Sequence, residues 1–429
     1  MAKPKLALIP AAQGSKFYSV LPSDGVGDFD FTRGSSGTRI NAQGLIETVA
    51  DTSSRLDYDL LNGKVVNCPH YLLEPASTNL ITYSEDFSQW TLSNATVSLN
   101  QIISPDGSLN ADKIIATATN GSHAVFVSIS SAISSGSSYC YSFFAKAEQY
   151  TKTAIRIGGS GYSTQPMAVI NLLNGTVVSQ QGFTSVSVTN FNNGWYKINA
   201  VFTATASVAP NIQPIADGFI TTADNYTYTG DGTSGIYVFG AQVEEGSYPT
   251  SYIPTTGTAI TRAAESANGS GDAATFNDSE GVLMAEISTF VDDDLNRQIS
   301  ISNQTTTNSI KLTFIDEDSL IFERKTSSGD TQDTIDFVSG NFTKIAFQYK
   351  SNNYKAFVNG FEITLTQSVN LPTSLSVLNF DNAIGAADFY GKTKQLQYFD
   401  SALTDAQLET LTSWTSLQEM ITSQLYTNY

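Results

Sequence analysis

Short runs of alternating apolar and polar residues, cut at close intervals by Gly, Pro, Asn and Asp, occupy most of the chain. A period of two places one apolar face on a strand, and strands of this density have to bury that face against a second sheet. Ser138-Tyr-Cys-Tyr-Ser-Phe-Phe-Ala-Lys-Ala147 has the composition of a central strand, and Gly194 to Phe202 and Ile236 to Val243 read as further strands. Asn174-Gly175, between Met167–Leu172 and Val177-Val178, is a strong hairpin signal. With no helical period in this stretch, residues 76–264 are expected to form a β-sandwich of jelly-roll type.

A second series of strands starts near residue 280, with Val282 to Ile287 and Ile310 to Phe314, and runs through a tight Asn359-Gly360 turn to Gly391–Phe399. It predicts a second sandwich over 280–413. Between the two, Glu265-Ser-Ala-Asn-Gly-Ser-Gly-Asp272 has linker composition, so 265–279 is read as a linker. Thr404 with Gln407 forms a capping box, Leu403 and Leu408 suit a hydrophobic staple, and a short C-terminal helix follows. Leu417 and Ile421 would extend its apolar stripe, and 414–429 is otherwise a tail. Residues 1–75 read as short extended pieces broken by Gly, Pro and Asp, too small for a core of their own. They are expected to dock, either on another protein or on the next domain of the same chain. The fold class is therefore mostly β: two tandem sandwiches after an extended N-terminal segment, with one short helix near the end.

Only 14% of residues are charged and the net charge is −18. That balance argues against sequence-independent nucleic-acid binding and against anionic membrane surfaces, both of which need Lys and Arg. The charge is uneven. Residues 1–40 hold five basic and three acidic groups, whereas 271–340 hold four and fourteen. No run approaches the ~20 apolar residues of a membrane helix, so membrane insertion is not expected. Cys68 and Cys140 make no disulfide framework. The N-terminus lacks a signal-peptide core, which implies synthesis and folding in a cytoplasm.

Catalytic signatures are sparse. His70 and His123 lie far apart and read as structural, and neither a G-x-S-x-G elbow nor an HExxH or paired CxxC motif is present. A glycosidase carboxylate pair is compatible with 40 acidic residues, but no motif selects one. Asp292-Asp-Asp294 and Asp316-Glu-Asp318 are read as solvated loops. Glu85, Asp86 and Asp231, near the ends of the first sandwich, are the candidates for a structural calcium; no other cofactor is expected. Tyr226, Tyr228, Tyr248 and Tyr252 fall in loop contexts beside Asn, Asp and Thr. They are the candidate glycan-binding residues, because aromatic rings stack on apolar sugar faces while short polar groups bind hydroxyls.

The N-terminal order Leu6-Ala-Leu-Ile-Pro10, Tyr18-Ser-Val-Leu-Pro22, Phe31-Thr-Arg33, Thr38-Arg-Ile-Asn41, Gly44-Leu-Ile-Glu47, Arg55-Leu-Asp-Tyr58, Leu72-Leu-Glu-Pro75, Thr78-Asn-Leu80 and Ser84–Trp90 resembles the opening of tailed-phage virion proteins. Pro105-Asp-Gly107, Ala111-Asp-Lys113, Gly194-Trp-Tyr196 and Gly240–Glu244 before Ser251-Tyr-Ile-Pro254 are similar to the carbohydrate-binding jelly roll found in such proteins. Residues 280 to about 413, closing with Lys394–Asp400 and Ala402–Asp405, resemble a concanavalin A-like, laminin-G-type sandwich. The resemblance implies a non-enzymatic virion spike or fibre, a homotrimer that binds host-surface glycan. Other virion proteins would be its partners, reached through residues 1–75, and the virion its location. It also implies that removing 1–75 leaves soluble sandwiches. A glycan depolymerase and a capsid- or tail-decorating scaffold without receptor binding are the alternatives.

Overall fold

The structure, a computed structural model, describes residues 3–129, 133–205, 208–215, 227–290, 296–315 and 318–414. It is mostly β, with two sandwiches and one α-helix among the described residues. No helix among these residues is long and apolar enough to cross a membrane.

The first sandwich packs two six-stranded sheets face to face. One has the order Ala95–Ile103, Leu109–Ala116, Gly235–Glu245, Ser138–Ala147, Trp195–Thr203, Ser185–Asn190. The other runs Thr176–Gln181, Met167–Asn171, Lys152–Gly158, Ala209–Ile215, Ala124–Phe126, Thr91–Ser93. The strand Ser138–Ala147 is paired on both sides, as its composition indicates. Its alternation is literal: Tyr139, Tyr141, Phe143 and Ala145 enter the core with Ile114, Ile155, Ile198 and Val238, while Phe144 points to the outer face. The Asn174-Gly175 turn forms the expected hairpin. Gly175 has φ +71°, and a Cβ there would lie 2.5 Å from the Tyr196 ring, so glycine is required twice over.

The second sandwich sets a five-stranded sheet, Gly329–Asp336 through Val377–Asn379, against an eleven-stranded one. The larger sheet is built from both ends of the chain. Leu6–Gln13 pairs antiparallel with the closing strand Gly391–Phe399, placing Leu6 opposite Tyr398 and Leu8 opposite Leu396. Lys16–Leu21 and Phe29–Thr32 extend that edge, and the hairpin Leu56–Leu61/Lys64–Leu73 attaches through Leu72 and Lys392. Leu6, Leu8, Phe17, Phe29, Phe31, Tyr71 and Leu73 share one buried core with Leu283, Ile299, Leu312 and Phe347.

The N-terminal segment thus sits on its own chain, but its strands join the second sandwich rather than the next domain. Removing it would take these residues out of the core of the second sandwich, which speaks against the expectation that the sandwiches stay soluble without it.

The linker reading of 265–279 is corrected as well. Ser266–Asn268 is an edge strand paired with Phe29–Thr32, and the Glu265 side chain is wholly buried. Small polar residues there serve a strand threaded between two packed units, a role whose composition mimics a linker. The helix Asp405–Thr412 starts on the expected box: the Gln407 amide donates to the Thr404 hydroxyl and the Thr404 amide to the Gln407 side chain. Leu403, Leu408 and Leu411 cover Val282, Met284 and Phe399 on the outer face of the large sheet. Leu417, Ile421 and the tail from 415 onward lie outside the described residues.

Candidate ligand-binding cleft

Three parts of the chain meet on a buried charge network. Glu265 accepts from Arg33 Nη1 at 2.7 Å and from Arg55 Nε at 2.8 Å, and Arg55 Nη2 also contacts its second oxygen. The same Arg55 Nη2 reaches Glu74 at 2.8 Å, and Arg262 Nη1 reaches Glu74 at 3.1 Å. Ser251 donates its amide and hydroxyl to Glu74 at 2.8 and 2.6 Å. Thr250 links Arg262 to the buried Glu244, which accepts from Thr250 and from Ser77. Three guanidinium groups therefore face three carboxylates, each with additional hydrogen bonds, which is the condition for charges to survive out of water. Burial alone would push Glu74 up, but Arg262 and Arg55 outweigh it and hold the carboxyl at about 2.

Above this network lies a cleft of about 330 Å³. Its walls come from the hairpin Gly37–Ile40/Ile46–Val49, the outer face of the first sandwich and the Ser288–Phe290 end of the second. The hairpin is fixed because Ile40 and Ile46 pack on Phe144, Phe191 and Trp195, and because Thr38 donates to the Tyr252 carbonyl at 2.6 Å. Tyr248 stacks on Phe290, with centroids 5.3 Å apart and planes at 16°, so one aromatic wall is shared by both sandwiches. Pro249, Thr250, Ser251, Lys197 and Thr289 complete the polar and apolar lining used below. A mostly apolar hollow with a few fixed polar groups, at a junction between units, is the usual form of a small-ligand site.

The structure separates the tyrosine candidates. Tyr248 lines the cleft. Tyr252 also reaches it, but is 6% exposed and its hydroxyl is held by Ser84 at 2.7 Å and Glu85 at 2.9 Å. Tyr228 lies elsewhere: its ring packs 4.4 Å from His123, its hydroxyl donates to the Pro214 carbonyl at 2.7 Å, and its carbonyl meets His123 Nε2 at 3.0 Å. Tyr226 lies outside the described residues.

The calcium candidates do not share a site with one another in any described group of three or more His, Cys, Asp or Glu. Asp86 caps the short helix Phe87–Gln89 through the Ser88 amide and hydroxyl, and Asp231 accepts from the Thr233 and Ser234 amides. The Ser234 hydroxyl, which also donates to it, and then these two amides hold Asp231 well below the usual carboxylate range. Burial, partly offset by Tyr252, pushes Glu85 up. Residues 292–294, 316 and 317 lie outside the described residues; Asp318 accepts from the Ser319 hydroxyl.

Both histidines have structural surroundings. His123 bridges two carbonyls, and His70 is enclosed between Asp57 at 3.3 Å and Asp59 at 3.6 Å. The sequence motifs that hold Arg33, Arg55 and Glu74 gave these side chains no role; in the fold they join Arg262 and Glu265 in the buried network beneath the cleft.

No protein-family model matches the sequence, and no curated protein matches it. Solved structures give partial likeness. The CBM40 module of the Ruminococcus gnavus IT-sialidase, bound to alpha2,3 sialyllactose, is 17% identical over 34% of this chain and 94% of that one, with TM-score 0.29. The NanB sialidase from Streptococcus pneumoniae is 12% identical over 32% of this chain and 24% of that one, with TM-score 0.29. The SAP-like pentraxin from Limulus polyphemus is 14% identical over 32% and 72%, with TM-score 0.27. At these values the likeness touches about a third of the chain and says nothing of what it binds.

Proposed function

We propose that this protein is a non-enzymatic glycan-binding spike or fibre protein of a virion, with the ligand seated in the cleft between the two sandwiches. The observation that carries the binding role is the stacked Tyr248–Phe290 wall beside fixed hydroxyl and amide groups in a cavity of about 330 Å³. The two carboxylates on its wall favour binding over hydrolysis. Glu74 is locked by two arginines at about 2, far from the raised value a general acid needs, and Asp57 is taken up by the Ile40 amide at 2.6 Å and by His70. The virion role rests on the resemblance of the N-terminal motifs. With the inner face of that segment committed to its own sandwich, attachment to other virion proteins uses its outer face, where Ile9, Tyr18 and Val20 are exposed. A trimer would raise avidity of weak sugar contacts without new ones.

The test is a host-surface glycan array probed with the full chain and with Tyr248→Ala. Binding by the parent and its loss in a variant with unchanged thermal unfolding carries the reading. Absence of any glycan binding by the parent defeats it.

A further inference from the structure

Of the cations that line the cleft, two are paired within the described residues and one is not. Arg39 is paired with Glu47 at 3.0 Å and Lys392 with Asp59 at 2.6 Å. Glu74 is answered by Arg55 and Arg262, and Asp57 accepts from the Ile40 amide at 2.6 Å. Lys197, on the strand Trp195–Thr203, is the exception. Its ammonium donates to the Thr250 carbonyl at 3.3 Å and makes no ion pair with any described residue. Across the same cavity Thr289, only 4% exposed, carries a hydroxyl with no hydrogen-bond partner. A buried hydroxyl without a partner is costly, and so is a half-buried ammonium whose contact is a single neutral acceptor. Both are relieved by a ligand that brings an anionic oxygen and a hydroxyl into the cleft.

Resting on the glycan reading above, we infer that the cleft is built for an acidic sugar, one bearing a carboxylate. The carboxylate meets Lys197, a ring face lies on the Tyr248–Phe290 wall, and a ring hydroxyl satisfies Thr289. One unpaired ammonium matches one carboxylate charge, whereas a phosphate or sulfate ester spreads its charge over three peripheral oxygens. A single unpaired cation also discriminates well here, because the remainder of a chain at −18 repels anions that do not find it.

The experiment probes the full chain on an array bearing uronate- and sialate-terminated oligosaccharides, the methyl esters of the same sugars, sulfated glycans and neutral glycans. The acids are expected to bind at least about tenfold more tightly than their esters, the worth of one charge-assisted hydrogen bond. Lys197→Gln should bring the acids down to the level of the esters. Equal binding of acids and esters, or a preference for sulfated glycans, overturns the inference while leaving the cleft a sugar site. No binding to any sugar overturns the glycan reading itself. Should Lys197→Gln fail to fold, the acid-against-ester comparison on the parent chain still decides.

Discussion

Glu265 Oε1 accepts a hydrogen bond from Arg33 Nη1 at 2.7 Å, across 232 residues of chain, with both side chains fully buried. The contact ties the N-terminal segment to the point where the chain passes from one sandwich to the next. Arg55 lies on the same carboxylate and extends the tie to Glu74 and, through Ser251, to the end of the first sandwich. The cleft sits over this knot, with Glu74 on its wall, so its geometry depends on the buried charges beneath it.

Glu265→Gln should be far more damaging than its conservative chemistry suggests. It leaves Arg33 and Arg55 buried against a neutral amide, and breaking a buried pair typically costs about 3–5 kcal/mol. By contrast, Asp30→Asn removes the Lys16 pair, in which the two side chains are 43% and 75% exposed, and should change stability by less than about 1 kcal/mol. Urea denaturation of the two variants beside the parent measures both, and similar losses would remove the network from its central position.

Deleting residues 1–75 should yield insoluble or unfolded protein. The deletion exposes the edge of Gly391–Phe399 along the Leu6–Leu8 pairing and strips Phe17, Phe29, Tyr71 and Leu73 from the core of the second sandwich. Loss of even one such large core side chain costs about 3–5 kcal/mol, and a marginally stable fold has only about 5–15 in total. Solubility and circular dichroism of the truncated chain check this; a folded, monodisperse 76–429 fragment would refute the shared core.

Much of this architecture was legible in the residues. The alternation in Ser138–Ala147, the Asn174-Gly175 turn and the Thr404/Gln407 box each encode their local structure, because period, turn chemistry and capping act within a few residues. The pairing of Leu6–Gln13 with Gly391–Phe399 was not legible, since nothing local specifies a partner strand almost the whole chain away. The same holds for the Ser266–Asn268 strand, whose Ser and Asn residues look alike in a linker and on a paired edge. At the cleft, Tyr248 was legible as an aromatic in a loop, whereas Phe290 and Lys197 became part of the site only through the packing of two sandwiches.

Acid should weaken the fold through Glu74. Its folded value, about 2, lies below the ordinary 4.5, because Arg262 and Arg55 overcome the opposing effect of burial. A depressed carboxyl contributes stability above its unfolded value and loses it as pH falls through the folded one, so the loss spans roughly pH 4.5 to 2. Asp112 works in the opposite sense. Burial raises it to about 6 against the opposing Asn100 and Phe87 amides, so its contribution is present below 3.8 and lost as pH rises through 6. The two overlap, and the Glu74 share is isolated as the difference between parent and Glu74→Gln in denaturation midpoints across pH 2–7. A difference independent of pH would contradict the assignment.

Two tyrosines chosen for one role on the sequence should part company in experiment. Tyr228→Phe removes a hydrogen bond to the Pro214 carbonyl and should lower stability by about 1 kcal/mol without touching sugar binding, since the ring packs against His123 away from the cleft. Tyr248→Ala deletes the half of the stacked wall contributed by the first sandwich and should weaken ligand binding by about tenfold or more, because aromatic stacking is worth roughly 0.5–1.5 kcal/mol beyond the area it covers. Titrating both variants with the best ligand from the array, alongside thermal unfolding, separates the effects. If Tyr228→Phe lost binding while Tyr248→Ala kept it, the recognition surface would lie near His123, and the junction between the sandwiches would be a structural seam alone.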